Sequence, residues 1–148
     1  MYRKILVGYD GSEGSNAALQ KAVVLAEKFG AKLIALWAQN SLPHYPETVA
    51  EVEEETSAGK VYFRKICHHA TTLAKKKGVR VVCEHVEGHP AKILVEYAKE
   101  KKCDLIVLGH SGHSRLWGHL LGHTADRVSE YAPCCVLIVR TKTFQKKR

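Results

Sequence analysis

Residues 104–128 read DLIVLGHSGHSRLWGHLLGHTADRV. The apolar run DLIVL gives way at once to Gly109 and Gly112, and Gly122 follows after nine intervening residues, ahead of a helical pattern from about Thr124 to Tyr131. A short apolar run of this kind suits a strand buried on both faces. Glycines that follow a strand and open a helix mark a strand–loop–helix junction, which is the building step of a parallel sheet.

The same step recurs along the chain. Residues 3–9, RKILVGY, form a first strand that ends at Asp10-Gly11. Ser12 is an N-cap with Glu13 favourable in the first turn. Ala18, Leu19, Ala22, Val23, Leu25, Ala26 and Phe29 then recur at helical spacing, and Gly30 closes that helix. Residues 32–38, KLIALWA, are a second strand, and residues 40–48, with Pro43 and Pro46, a loop. Residues 51–77 read as one long helix, weakened at Gly59, where an interior glycine costs about 1 kcal/mol relative to alanine. Residues 79–86 are a third strand. Pro90 then begins a helix over 91–101, with Ile93, Leu94, Tyr97 and Ala98 inward. Residues 104–108 and 134–140 complete the strands, with Pro133 stopping the last helix. The expected fold is a single α/β domain over 1–141, Rossmann-like and doubly wound, with a five-stranded parallel sheet, helices on both faces and a basic tail over 142–148. In such sheets ligands bind at the carboxyl ends of the strands, where the strand order reverses. The turns after strands one and four are therefore the candidate site.

Composition narrows the class. The chain has 148 residues, 45% hydrophobic and 26% charged, which suits one globular domain with a proper core. No apolar run approaches the roughly 20 residues of a membrane span, and the short run at the N-terminus does not suit a signal peptide. A cytoplasmic protein is expected. The five cysteines, Cys67, Cys83, Cys103, Cys134 and Cys135, show no CxxC or zinc spacing and read as reduced thiols. The net charge of +8 raises the question of nucleic acid. The lysines at 75–77 and at 99, 101 and 102 fall at helix C-termini, however, where cations complement the dipole, so solvated faces are the favoured reading and nucleic acid is not the expected partner.

Glycines let backbone N–H groups approach an anion, and a helix N-terminus adds oriented donors and positive partial charge. Gly109, Gly112 and Gly122 thus suggest a phosphate cradle, although the spacing matches neither GxGxxG nor the P-loop. By spacing alone a glycine-rich surface loop is the competing reading. His110, His113, His119 and His123 admit three readings: phosphate donors beside Arg115, ligands of a transition metal, or loop residues with no common role. Their spacing is no recognised zinc motif, and no metal site or catalytic residue is assigned. Asp10 could contact a ligand or only shape its own turn. Trp37 and Trp117 read as packing residues, with Trp117 alternatively a lid.

The segments ILVGYDGSEGSNAAL, EGHPAKILVEYAKEKKCDLIVLGHSG and LLGHTADRVSEYAPCCVLIV together resemble the universal stress protein family over nearly the whole chain. The most specific likeness is Gly-x2-Gly-x9-Gly followed by Ser or Thr, which Gly109, Gly112 and Gly122 fit. The resemblance implies strand order 3-2-1-4-5, ATP binding, a role in the stress response and a homodimer through strand five, residues 134–140. By position, it places Gly8, Tyr9 and Asp10 beside the adenosine and Ala38 in the adenine pocket. Leu108 and Gly109 fall on the ribose side. Gly112, Gly122, His123 and Thr124 fall at the phosphates, with Mg2+ an optional companion.

His123 departs from the pattern, which calls for a hydroxyl. Imidazole donates from one nitrogen when neutral and from two when charged, so phosphate binding is expected to depend on pH, with Thr124 able to supply the hydroxyl instead. Three functions follow: an ATP-binding regulatory module, a slow ATP hydrolase, or a dimeric interaction protein that binds no nucleotide. The absence of a Walker lysine or an evident base favours the first, with weak ATPase activity at most.

Overall fold

A computed structural model describes residues 1–40, 48–110 and 121–141. Five strands alternate with four helices: β1 (Lys4–Gly8), α1 (Glu13–Phe29), β2 (Lys32–Gln39), α2 (Val49–Lys75), β3 (Val81–Glu87), α3 (Pro90–Glu100), β4 (Leu105–Gly109), α4 (His123–Tyr131) and β5 (Cys135–Val139). The strands form one parallel sheet in the order β3-β2-β1-β4-β5. The order reverses between β1 and β4, because β2 pairs on one side of β1 and β4 on the other.

The apolar runs are continuous because the central strands are covered twice. Ile5 and Val7 of β1 and Leu105 and Val107 of β4 face a core shared with Ala18, Leu19 and Ala22 of α1 and Ile66, Ala70 and Ala74 of α2. Leu6, Ile106 and Leu108 face the opposite core, with Leu94 and Ala98 of α3 and Ala125 and Val128 of α4. Each fully buried large aliphatic contributes roughly 1.5–3 kcal/mol. At the amino ends of the strands the Asp104 carboxylate accepts from the N–H groups of Arg3 at 2.8 Å and Lys4 at 3.1 Å, pinning the start of β1 to that of β4.

Element boundaries shift in places, each for a local reason. Helix α1 begins at Glu13 because Ser12 is its N-cap and accepts from Ser15 N–H, and Gly30 closes it at φ 62°. Helix α2 begins at Val49, where the Thr48 hydroxyl accepts from Glu51 N–H at 3.1 Å. It runs through Gly59 without a break, since a single glycine is a small cost against the buried contacts of Ile66, Ala70 and Ala74. Strand β3 starts at Val81 rather than 79, because Val79 N–H is spent on the carbonyl of Ala74 at the end of α2. Strand β5 starts at Cys135, one residue later than expected, and α4 at His123, one residue earlier.

Candidate functional site

A cleft of about 720 Å³ opens at the carboxyl ends of β1, β2 and β4, beside the start of α4. Gly8, Tyr9 and Asp10 line it from the first junction, Ala38 from β2, and Leu108 and Gly109 from β4. Gly122, His123 and Thr124 complete it from α4. Nine of the residues expected at a site therefore meet in one cavity at the reversal of strand order. Gly112 and Arg115 lie outside the described residues, as do His113, Trp117 and His119.

The first junction is bound up in its own hydrogen bonds. Asp10 Oδ1 accepts from Ser12 N–H at 2.9 Å, so its carboxylate does shape the turn while Asp10 also lines the cleft. Asp10 N–H donates to Ser15 Oγ at 3.3 Å, and Ser15 Oγ donates to the Ser12 carbonyl at 3.1 Å. The Tyr62 hydroxyl, from α2, donates to the Asp10 carbonyl. Gly11 takes φ 83°, and a Cβ there would meet Tyr62 Oη at 2.5 Å and Ile66 Cγ2 at 2.8 Å, so both conformation and space demand glycine. Tyr9 is buried, and burial first and Tyr62 second push its hydroxyl up to about 12, which keeps it protonated.

Aromatic side chains make the β2 wall. Trp37 packs edge-on against Tyr62 at 5.0 Å and stacks on His85 at 4.3 Å, and His85 Nε2 is hydrogen-bonded to Gln39 Oε1 at 2.7 Å. Trp37, Gln39 and Tyr62 all line the cleft, and none was among the site residues expected from sequence. Tyr62 could not have been found that way, since only the docking of α2 on the sheet brings it beside Asp10. Trp37 packs as expected and also borders the cavity.

Glycine at 109 has a packing cause: a Cβ there would lie 2.7 Å from the backbone carbon and oxygen of Gly14 in α1. At Gly122 the backbone, φ −61° and ψ 154°, is one that any residue adopts. As the N-cap of α4, Gly122 brings no side-chain acceptor to the first turn of the helix. The N–H of Gly122 donates to the His110 carbonyl at 2.7 Å, so the chain leaves β4 and returns to α4 through neighbouring residues. His110 is not an exposed loop residue. It is 6% exposed, its N–H donates to the Val139 carbonyl at 2.9 Å, and burial first and the Arg140 charge second hold its imidazole below the usual histidine range. His123 is exposed at the cleft and meets His89, the residue before α3, with ring centroids 6.2 Å apart.

Chemically, this is an apolar slot ending at a helix N-terminus. Ala38, Leu108 and Trp37 offer surface to a flat ring, and the first turn of α4 offers N–H donors and positive partial charge. Among the described residues that line the cleft there is no lysine, and the described residues contain no group of three or more His, Cys, Asp or Glu suited to a metal ion.

The model of the universal stress protein family matches residues 1–140. The chain belongs to this family. A universal stress protein of Methanocaldococcus jannaschii is 34% identical over 147 residues, covering 95% of this chain and 83% of that protein. The relative YxiE of Bacillus subtilis is 35% identical over 150 residues, covering 95% and 100%. Among solved structures, the universal stress protein UspA of Lactobacillus plantarum superposes with a TM-score of 0.84 at 29% identity, over 94% of this chain and 98% of that one. A universal stress protein solved in complex with cAMP superposes with a TM-score of 0.74 at 33% identity, over 95% and 99%. No helix among the described residues is long and apolar enough to cross a membrane.

Proposed function

We propose that this chain is a regulatory module that binds ATP in the cleft. The phosphates sit against Gly109, Gly112, Gly122 and the first turn of α4, with Arg115, His123 and Thr124 as side-chain donors. Adenosine occupies the slot bounded by Gly8, Tyr9, Asp10 and Ala38, with Leu108 on the ribose side. The observation that carries this reading is the meeting of residues from β1, β2, β4 and α4 in one 720 Å³ cavity where the strand order reverses. The cavity size is within the range that suits a small-molecule ligand. The related protein crystallised with cAMP supports a nucleotide as the ligand class. Mg2+, where it accompanies ATP, enters as counterion of the phosphates.

Binding without efficient turnover is part of the proposal. Phosphoryl transfer needs a positioned nucleophile and charge stabilisation. Asp10, the one carboxylate among the described lining residues, accepts the N–H of Ser12 and shapes its turn. The same reading includes a cytoplasmic location and a homodimer through β5, whose half-buried Val136, Leu137 and Ile138 lie on an edge strand. The test is the nucleotide content of the freshly purified protein, extracted and identified by mass spectrometry. Bound adenine nucleotide is expected. A nucleotide-free protein that also gives no heat on titration with ATP would contradict the reading.

A further inference from the structure

Helix α2 and edge strand β3 bring two thiols together outside the cleft. Cys83 Sγ donates to the Cys67 carbonyl oxygen at 3.8 Å, and Cys67 Sγ lies 4.0 Å from Thr71 Oγ1. Both cysteines border a small void with Tyr9 and Trp37, and both are reduced and partly exposed. They stand 16 positions apart in sequence. The nucleotide reading uses neither.

We propose that Cys67 and Cys83 are a reversible disulfide site, closed by a low-molecular-weight disulfide such as oxidised glutathione, that ties α2 covalently to β3. The Cys67 thiolate attacks one sulfur of oxidised glutathione, forming a mixed disulfide and expelling one glutathione thiolate. The Cys83 thiolate then attacks the Cys67 sulfur, forming the bridge and expelling the second glutathione. Two cysteine thiols are oxidised, one disulfide is reduced to two thiols, and the two protons lost by the cysteines end on the two glutathiones. With the Cys83 sulfur already against the Cys67 backbone, side-chain rotation and a short closing of helix on strand bring the two sulfurs to bonding geometry.

The second step is the slow one. Burial first and the Cys67 thiol second push the Cys83 thiol up to about 12, so little thiolate is present near neutral pH. Closure should therefore speed about tenfold per pH unit in that range. The bridge would fix α2 close to Tyr62, whose hydroxyl holds the Asp10 carbonyl.

The test uses the full chain, treated with oxidised glutathione at about pH 8.5 and analysed by intact mass and peptide mapping. The expected product has lost two hydrogens, carries a Cys67–Cys83 cross-linked peptide and reverts with dithiothreitol. Closing a loop of this length should raise the unfolding temperature by roughly 6–12 °C. Cys67→Ser and Cys83→Ser, each checked for folding by circular dichroism, should lose both the cross-link and the thermal shift. A stable glutathione adduct on Cys67 without closure, or a bridge that uses Cys103, Cys134 or Cys135 instead, would overturn the proposal. A Cys67–Cys83 bridge that leaves the unfolding temperature unchanged would overturn the tie between α2 and β3.

Discussion

Among the described residues, the two helices that open onto the cleft, α1 and α4, start in opposite ways. Between β1 and α1, side chains close the backbone: Asp10 accepts Ser12 N–H, Ser12 accepts Ser15 N–H, and Tyr62 fixes the Asp10 carbonyl. Between β4 and α4, the helix starts on Gly122, which contributes no side-chain acceptor. A junction that turns its side chains onto its own backbone supplies shape. A helix start without a side-chain cap can supply donors to a ligand. The glycines divide the same way. Gly11 and Gly109 are demanded by conformation or by contact with neighbouring atoms, whereas the backbone at Gly122 needs no glycine for its conformation.

The largest expected effect separates the two starts. Gly122→Val should weaken ATP at least about 100-fold, because a branched Cβ keeps phosphate from the first turn of α4 and forfeits charge-assisted bonds worth roughly 1.5–3 kcal/mol each. Its urea midpoint should stay near that of the parent. Unchanged affinity by calorimetry would remove the helix start from the site.

Gly109→Ala should cost stability. Its Cβ would press on the backbone of Gly14 at 2.7 Å, and overpacking of this kind costs about 1–3 kcal/mol. Urea unfolding measures the loss, and a variant as stable as the parent would show that β4 and α1 separate freely. At the sealed junction, Ser12→Ala removes the cap of α1 and should cost about 1 kcal/mol in the same assay.

The smallest effect is a pH dependence at His110. Burial and Arg140 depress its folded pKa, so below the usual histidine value of about 6.5 the unfolded chain binds a proton that the folded chain resists. The contribution of neutral His110 is complete above that value. It declines as pH falls below about 6.5, down to the folded pKa. His110→Gln should flatten the fall in unfolding temperature between about pH 7.5 and 5.5. Parallel curves for the two proteins would mean that His110 carries no such linkage.

The fold was largely legible in sequence because its central strands are buried on both faces. Runs such as ILV at 5–7 and LIVL at 105–108 are continuous for that reason, and Ser12, Gly30 and Pro90 mark helix ends by their own chemistry. One long helix across Gly59 was also legible, and its anchoring is tertiary, which outweighs the local cost of the glycine. Nine cleft residues were reachable through the family resemblance and the strand-end rule. Tyr62 and the stack of Trp37 on His85 were not, because each joins elements whose relative placement no local pattern contains. His110 was misplaced among the loop histidines, since the hydrogen bond to β5 that draws it inward crosses 29 residues of chain, from 110 to 139.

The central claim is that phosphates rest on the start of α4 while the nucleoside lies in the slot beside β1 and β2. Calorimetric titration of the nucleotide-free protein with ATP, ADP, AMP and adenosine tests it most directly. The account predicts one site per chain, with affinity falling at each phosphate removed and the steepest losses abolished in Gly122→Val. Equal affinity for ATP and adenosine, or a phosphate dependence that survives Gly122→Val, would contradict it.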